Sequence, residues 1–162
     1  MNVNFKANYF YFIFLVLIFL ADRGSKIIIL NIFENSEFAS IKINSFLNFS
    51  LVLNNGIAFG LFSLEKNFYY NILTSIIILI AIFIIFLAYR ASNLLEKLSY
   101  LMIAGGASGN IFDRLIYSSV VDFIDITINN FHWFIFNVAD IFITLGIVIL
   151  LLRELVNKKK YE

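Results

Sequence analysis

Apolar residues gather along the chain into four long runs separated by more polar stretches, and the second run is the cleanest. Between Lys66 and Arg90 there is no Asp, Glu, Lys, Arg or His for 23 residues, and positions 72–88 are almost entirely aliphatic or aromatic. At about 1.5 Å per residue such a helix crosses a bilayer core of about 30 Å. The other runs are long enough to span but carry charges: Asp22, Arg23 and Lys26 in the first, Asp113 and Arg114 in the third, Asp140 in the fourth. The pattern predicts a membrane protein, mainly α, with four transmembrane helices over about 9–30, 67–89, 98–117 and 134–153 in one integral-membrane domain, 1–162. Lys6 before an apolar run resembles a cleavable leader. No A-x-A-like site follows, however, and the apolar pattern resumes at Ile27, so the first run reads as a retained helix.

Between the first two runs the period changes. Ile41, Ile43, Leu47, Phe49, Leu51 and Leu53 alternate with polar residues, and Asn54-Asn55-Gly56 supplies turn chemistry, which predicts a small β-sheet within an outer segment, about 31–66. Positions 123–136 mix His132, Trp133 and phenylalanines at no clean period, so an interfacial segment seated by its aromatic rings is expected between helices three and four.

Composition agrees with a membrane. Sixty-one per cent of the 162 residues are hydrophobic and 14% charged, against about 25% charged in soluble domains, and the mean hydropathy is +0.89. The absence of cysteine excludes a disulfide scaffold, a thiol nucleophile and a thiolate metal site. A net charge of +1 gives no reason to expect nucleic acid. Lys6, Arg90, Lys97, Arg153 and Lys158 to Lys160 fall on one side of a four-span chain, so both termini are expected in the cytoplasm and the 31–66 and 118–133 connections outside.

In that orientation the polar residues at membrane depth converge on the outer face. An aspartate inside a membrane helix costs about 2.5–3.5 kcal/mol on insertion scales. Asp22 lies in the outer third of helix one, Asn110, Asp113 and Arg114 near the outer end of helix three, and Asn137 and Asp140 at the outer start of helix four. Asp122 and Asp125 lie in the loop between those helices. The simplest reading of Asp22 with Lys26, and of Asp113 with Arg114, is a pair of neutralising ion pairs that let polar helix ends sit in a bundle. Asp122 and Asp140 have no basic residue within four positions. They divide evenly between an ordinary interfacial or helix-start aspartate and a pair of carboxyls, one ionised and one protonated, able to activate water. One histidine without cysteine builds neither a usual zinc site nor a convincing serine triad, so no metal and no cofactor is expected. Gly105, Gly106 and Gly109 lack the context of a phosphate loop and read as a close helix-packing stripe.

These residues form ordered motifs. Asp22-Arg23-Gly24-Ser25-Lys26 fits D-x-x-x-K, and the Asn54 to Gly60 stretch fits N-x-G-x-A-F. Positions 105–114 fit G-G-A-x-G-N-x-x-D-R, Val120-Val121-Asp122-Phe123 fits V-V-D-F, and positions 136–140 fit F-N-x-A-D. Together they resemble the bacterial lipoprotein signal peptidases, signal peptidase II, along nearly the whole chain. The resemblance implies an aspartyl endopeptidase of the cytoplasmic membrane that cuts diacylglyceryl-modified prolipoproteins just before the lipidated cysteine, with its site near the outer face. It implies Asp122 and Asp140 as the catalytic dyad and Asn54, Gly56, Asn110, Arg114 and Asn137 as substrate-binding or dyad-orienting residues. Asp22, Lys26 and Asp113 are then structural polar residues. Its implied partners are lipidated prolipoproteins, membrane lipid and cyclic peptide inhibitors of the globomycin type. Arg23 and Gly60 depart from the glutamine and serine common in that family. The alternatives are a membrane proton or ion path, disfavoured because helix two carries no ionisable acid or base, and a purely structural subunit, which leaves Asp122 and Asp140 without a purpose.

Overall fold

The structure, a computed structural model, describes residues 5–35, 40–56, 66–128 and 131–158. Within these residues four helices and four strands follow in order: α1 (Phe5–Glu34), β1 (Ser40–Lys42), β2 (Leu47–Asn54), α2 (Lys66–Arg90), α3 (Leu94–Tyr117), β3 (Val120–Ile128), β4 (Phe131–Phe136) and α4 (Val138–Lys158). The strands form one antiparallel sheet in the order β1-β2-β3-β4.

The chain is thus mainly helical with a small antiparallel sheet, and two sequence expectations need correction. Positions 123–136 are not a simple interfacial segment: they form most of a β3–β4 hairpin that doubles the width of the sheet, and Asp122 and Asp125 sit on β3, not in a loop. Accordingly the fourth helix begins at Val138 and not near 134, because residues 134–136 pair with β3.

Helix α3 is the hub, packed against α1, α2 and α4. Its small residues allow this. A Cβ on Gly106 would lie 2.5 Å from the Ala139 carbonyl oxygen on α4, and one on Gly109 would collide with the Asp22 carboxylate on α1. Asn93 starts α3, its side chain accepting the Glu96 N–H at 3.2 Å.

Outside these contacts the helices present apolar side chains: Phe12, Leu17 and Leu20 on α1, Leu79, Ile82 and Phe83 on α2, and Leu151 and Leu155 on α4 are exposed. Residues 68–90 are long and apolar enough to cross a membrane by length and composition alone. Helix α1 carries Asp22, Arg23 and Lys26, and α4 carries Asp140, Arg153 and Glu154.

Candidate active site

The start of α4 explains why asparagine and aspartate stand three residues apart. Asn137 Oδ1 accepts the Asp140 N–H at 3.0 Å, and Asp140 Oδ2 accepts the Asn137 N–H at 3.2 Å. This reciprocal capping satisfies two backbone donors of the first turn and sets the Asp140 carboxylate at the positive end of the helix. A third donor, Ala139 N–H, goes to Asp22 Oδ1 at 3.0 Å.

Asp122 reaches the same place from β3. Its side chain is buried, with Asn137 Nδ2 donating to Oδ1 at 2.6 Å and Asn54 Nδ2 to Oδ2 at 2.9 Å. Asn110 Nδ2 donates to Asp140 Oδ1 at 2.8 Å. Asn137 therefore touches both carboxyls. Each of the three amides has its oxygen occupied elsewhere: by Gly56 N–H at 2.8 Å for Asn54, by Asp140 N–H for Asn137 and by Lys26 Nζ at 3.0 Å for Asn110. With the oxygen so held, the NH₂ group has to face the aspartate. Burial pushes the Asp122 carboxyl above the usual carboxylate range. The two amides and Lys26 oppose that shift, and the nearby Asp140 charge adds to it.

Beside Asp140 opens a groove of about 440 Å³, lined by Phe134, Phe136, Ile141, Thr144 and Leu145. Its apolar walls suit a hydrophobic segment brought to the carboxyls from the side.

Behind the pair lies a buried cluster of charges. Lys26 Nζ is 2.9 Å from Asp22 and 2.7 Å from Asp113, and Arg23 is 2.6 Å from Asp113. The Asp22–Lys26 ion pair is as expected. The Asp113–Arg114 pair is not: Asp113 turns toward α1, and its Oδ2 also accepts the Val121 N–H at 3.2 Å. Adjacent helical residues point about 100° apart, so they cannot share a partner direction.

Arg114 goes the other way. Its guanidinium lies 5.5 Å over the Tyr70 ring, and Nη1 is buried with no hydrogen-bond partner among the described residues. Gly56, at φ 73°, admits it: a Cβ there would stand 2.8 Å from Nη1. Gly56 and Asn54 thus join Arg114 to the rim of the site, whereas Ile57 to Gly60 of the same motif lie outside the described residues.

Sequence reasoning missed a second polar knot in the sheet. Asp125 is buried, with His132 Nδ1 at 2.7 Å, Ser50 Oγ at 2.9 Å and Thr127 Oγ1 at 3.2 Å. The signal was weak because Ser50 is 75 residues away in sequence, and His132 and Thr127, 7 and 2 residues away, fall on a stretch with no clean period. Among the described residues no group of three or more His, Cys, Asp or Glu side chains is arranged to hold a metal ion.

Comparison with known proteins points to one family. A family model described as signal peptidase (SPase) II matches residues 14–156. The chain is 45% identical to a lipoprotein signal peptidase of Pelagibacter ubique over 99% of its own length and 98% of the relative's. It is 40% identical to one of Francisella tularensis subsp. novicida over 93% and 94%. A bacterial membrane enzyme structure obtained by the in meso method at 2.3 Å resolution superposes with a TM-score of 0.73 at 28% identity, covering 94% of this chain and 91% of that one.

Proposed function

The chain belongs to the signal peptidase II family and removes signal peptides from prolipoproteins in a bacterial membrane, and from that premise we propose that Asp122 and Asp140 are its catalytic pair. The observation that carries the assignment is the set of three amides, from Asn54, Asn110 and Asn137, each turned by a second partner so that its hydrogens meet one of these two carboxyls. Such a cage holds two acids in fixed orientation near each other, where they share one proton.

Asp122, the carboxyl that burial favours as the neutral acid, holds that proton. Asp140 sits where a helix start favours negative charge, and it takes a proton from water as the water oxygen adds to the scissile carbonyl carbon. Asp122 gives its proton to the carbonyl oxygen, forming a tetrahedral diol. As the C–N bond breaks, Asp140 passes its proton to the leaving nitrogen and Asp122 recovers one from a diol hydroxyl, so the pair ends as it began. The Nη1 of Arg114, unspent among the described residues, and the rim at Asn54 and Gly56 hold the substrate backbone.

The substrates are diacylglyceryl-modified precursors, cut before the lipidated cysteine. An apolar groove ending at Asp140 suits a signal segment that arrives within the bilayer, with the acyl chains as anchor. Cyclic peptides of the globomycin type compete for the same rim. All four helices span, as their exposed apolar faces support, with both termini cytoplasmic and the sheet outside.

Asp122→Asn and Asp140→Asn, nearly isosteric, test the pair with purified enzyme and lipidated precursor in detergent. Each is expected to lower cleavage by at least about 10²-fold while the protein stays folded. Cleavage near the wild-type rate by either variant defeats the assignment.

A further inference from the structure

Lys26 is fully buried on α1, and its ammonium has three contacts: Asp22 Oδ2 at 2.9 Å, Asp113 Oδ2 at 2.7 Å and Asn110 Oδ1 at 3.0 Å. The ammonium donates a hydrogen bond to Asn110 and is held between the two carboxylates as ion pairs, so all three of its polar neighbours are fixed groups. Each partner leads to the catalytic pair by one further bond. Asp22 accepts the N–H of Ala139, the residue before Asp140, at 3.0 Å. Asp113 accepts the N–H of Val121, the residue before Asp122, at 3.2 Å. Asn110 donates directly to Asp140 Oδ1 at 2.8 Å.

Building on the reading of Asp122 and Asp140 as the dyad, we propose that Lys26 is its positioning residue, one ammonium that fixes through three arms where both carboxyls stand and which way the Asn110 amide faces.

Charge neutralisation alone does not account for this. Arg23 already pairs with Asp113 at 2.6 Å. The bond to Asn110 neutralises nothing, yet it is the one that decides the amide's direction: a flipped Asn110 would oppose its NH₂ to the ammonium and its oxygen to Asp140. The arms are also short by construction, since Asp22 occupies the space that a side chain on Gly109, next to Asn110, would fill. A buried lysine is costly in a membrane helix, which fits a group retained for what it arranges.

Lys26 also acts through its charge. The groups facing Asp122 are Asn54 from β2, Asn137 just before α4, Asp140 from α4, and Lys26 from α1, and Lys26 is the cation among them, favouring the ionised form.

The test compares kcat, KM and the pH–rate profile on lipidated precursor in detergent for Lys26→Met combined with Asp113→Asn, for Lys26→Arg, and for Asp122→Asn and Asp140→Asn. The double variant removes one positive and one negative charge, so the cluster stays balanced, and the amide oxygen of an asparagine in place of Asp113 can still accept the Val121 N–H. It is expected to fold, to lose about 10²-fold in kcat with KM little changed, and to show a pH profile displaced to higher pH. Lys26→Arg, which keeps the charge but not the three directions, is expected to lose kcat with the profile in place. A folded double variant with wild-type kcat and pH profile overturns the proposal, as does a kcat loss that only follows the melted fraction with the profile unmoved. If the double variant does not fold, Lys26→Arg decides: wild-type kcat there overturns the proposal. Active Asp122→Asn or Asp140→Asn would instead overturn the dyad itself, so the two failures are told apart.

Discussion

Arg114 and Gly56 show how one residue's missing side chain sets another's reach. The motif implied a substrate-facing role for Arg114, and the partner expected for it, Asp113, was not the right one, because neighbours in a helix diverge and Asp113 spends itself on Arg23 and Lys26. Freed of that pair, the guanidinium lies over Tyr70 with a buried Nη1 unspent among the described residues. Arg114→Lys keeps the charge and loses the planar fork, so it is expected to lower cleavage more than it lowers the melting temperature. Intact cleavage by that variant, with Arg114→Ala unfolding, would make the arginine structural. Gly56→Ala adds a methyl at φ 73°, 2.8 Å from Nη1, and a side chain in that backbone region is strained besides. It is expected to reproduce the Arg114→Lys defect, since it displaces the same guanidinium, and normal cleavage by folded Gly56→Ala would separate the two residues.

At the scale of elements, legibility followed the alternation of residue types in the sequence. Strand β2 alternates apolar and polar residues, so its period was readable, whereas Phe131, Trp133 and Phe134 of β4 are all exposed and give no alternation to read. What holds β4 is polar: His132 on Asp125 at 2.7 Å, with Ser50 of β2 and, through Ser50 Oγ at 2.9 Å, Ser40 of β1. One carboxylate thereby reaches all four strands. Burial pushes Asp125 up, but the hydrogen bonds from His132, Ser50 and Thr127 outweigh it and hold the carboxyl below its ordinary range. A carboxyl so lowered adds stability that is present above about pH 4, its unfolded range, and disappears as pH falls through the lower folded value. Melting of the wild type in detergent is therefore expected to drop below about pH 4 more steeply than that of Asp125→Asn. Parallel curves would show that the sheet does not depend on this ionisation.

For the whole molecule, the directions of its helices decide which end holds the carboxyl pair. The C-terminal ends of α1 and α3 and the N-terminal end of α4 meet the sheet, the start of α2 lies beside them with Tyr70 under Arg114, and Asp122, Asp140 and their amides all lie at that end. Arg90, Lys97 and Arg153 lie at the other, with Arg153 on Glu96 at 2.7 Å and Lys97 over the Tyr11 ring. That distribution was legible from lysine and arginine counts alone, because the rule needs only which loops carry them and not how the helices pack. On the orientation proposed above, the basic end faces the cytoplasm and the carboxyl pair the outer face, where an exported precursor and water are both within reach. The native chain has no cysteine, so single cysteines report topology without background. Ser40 on β1 and Ser92 between α2 and α3 are both exposed, at opposite ends of the bundle. A membrane-impermeant thiol reagent applied to intact cells, with the outer envelope made permeable where there is one, is expected to modify Ser40→Cys and to spare Ser92→Cys until the cytoplasmic membrane is opened. Labelling of Ser92→Cys alone would invert the chain and put the dyad on the side where the signal peptide has not yet crossed, and labelling of both would break the four-span arrangement.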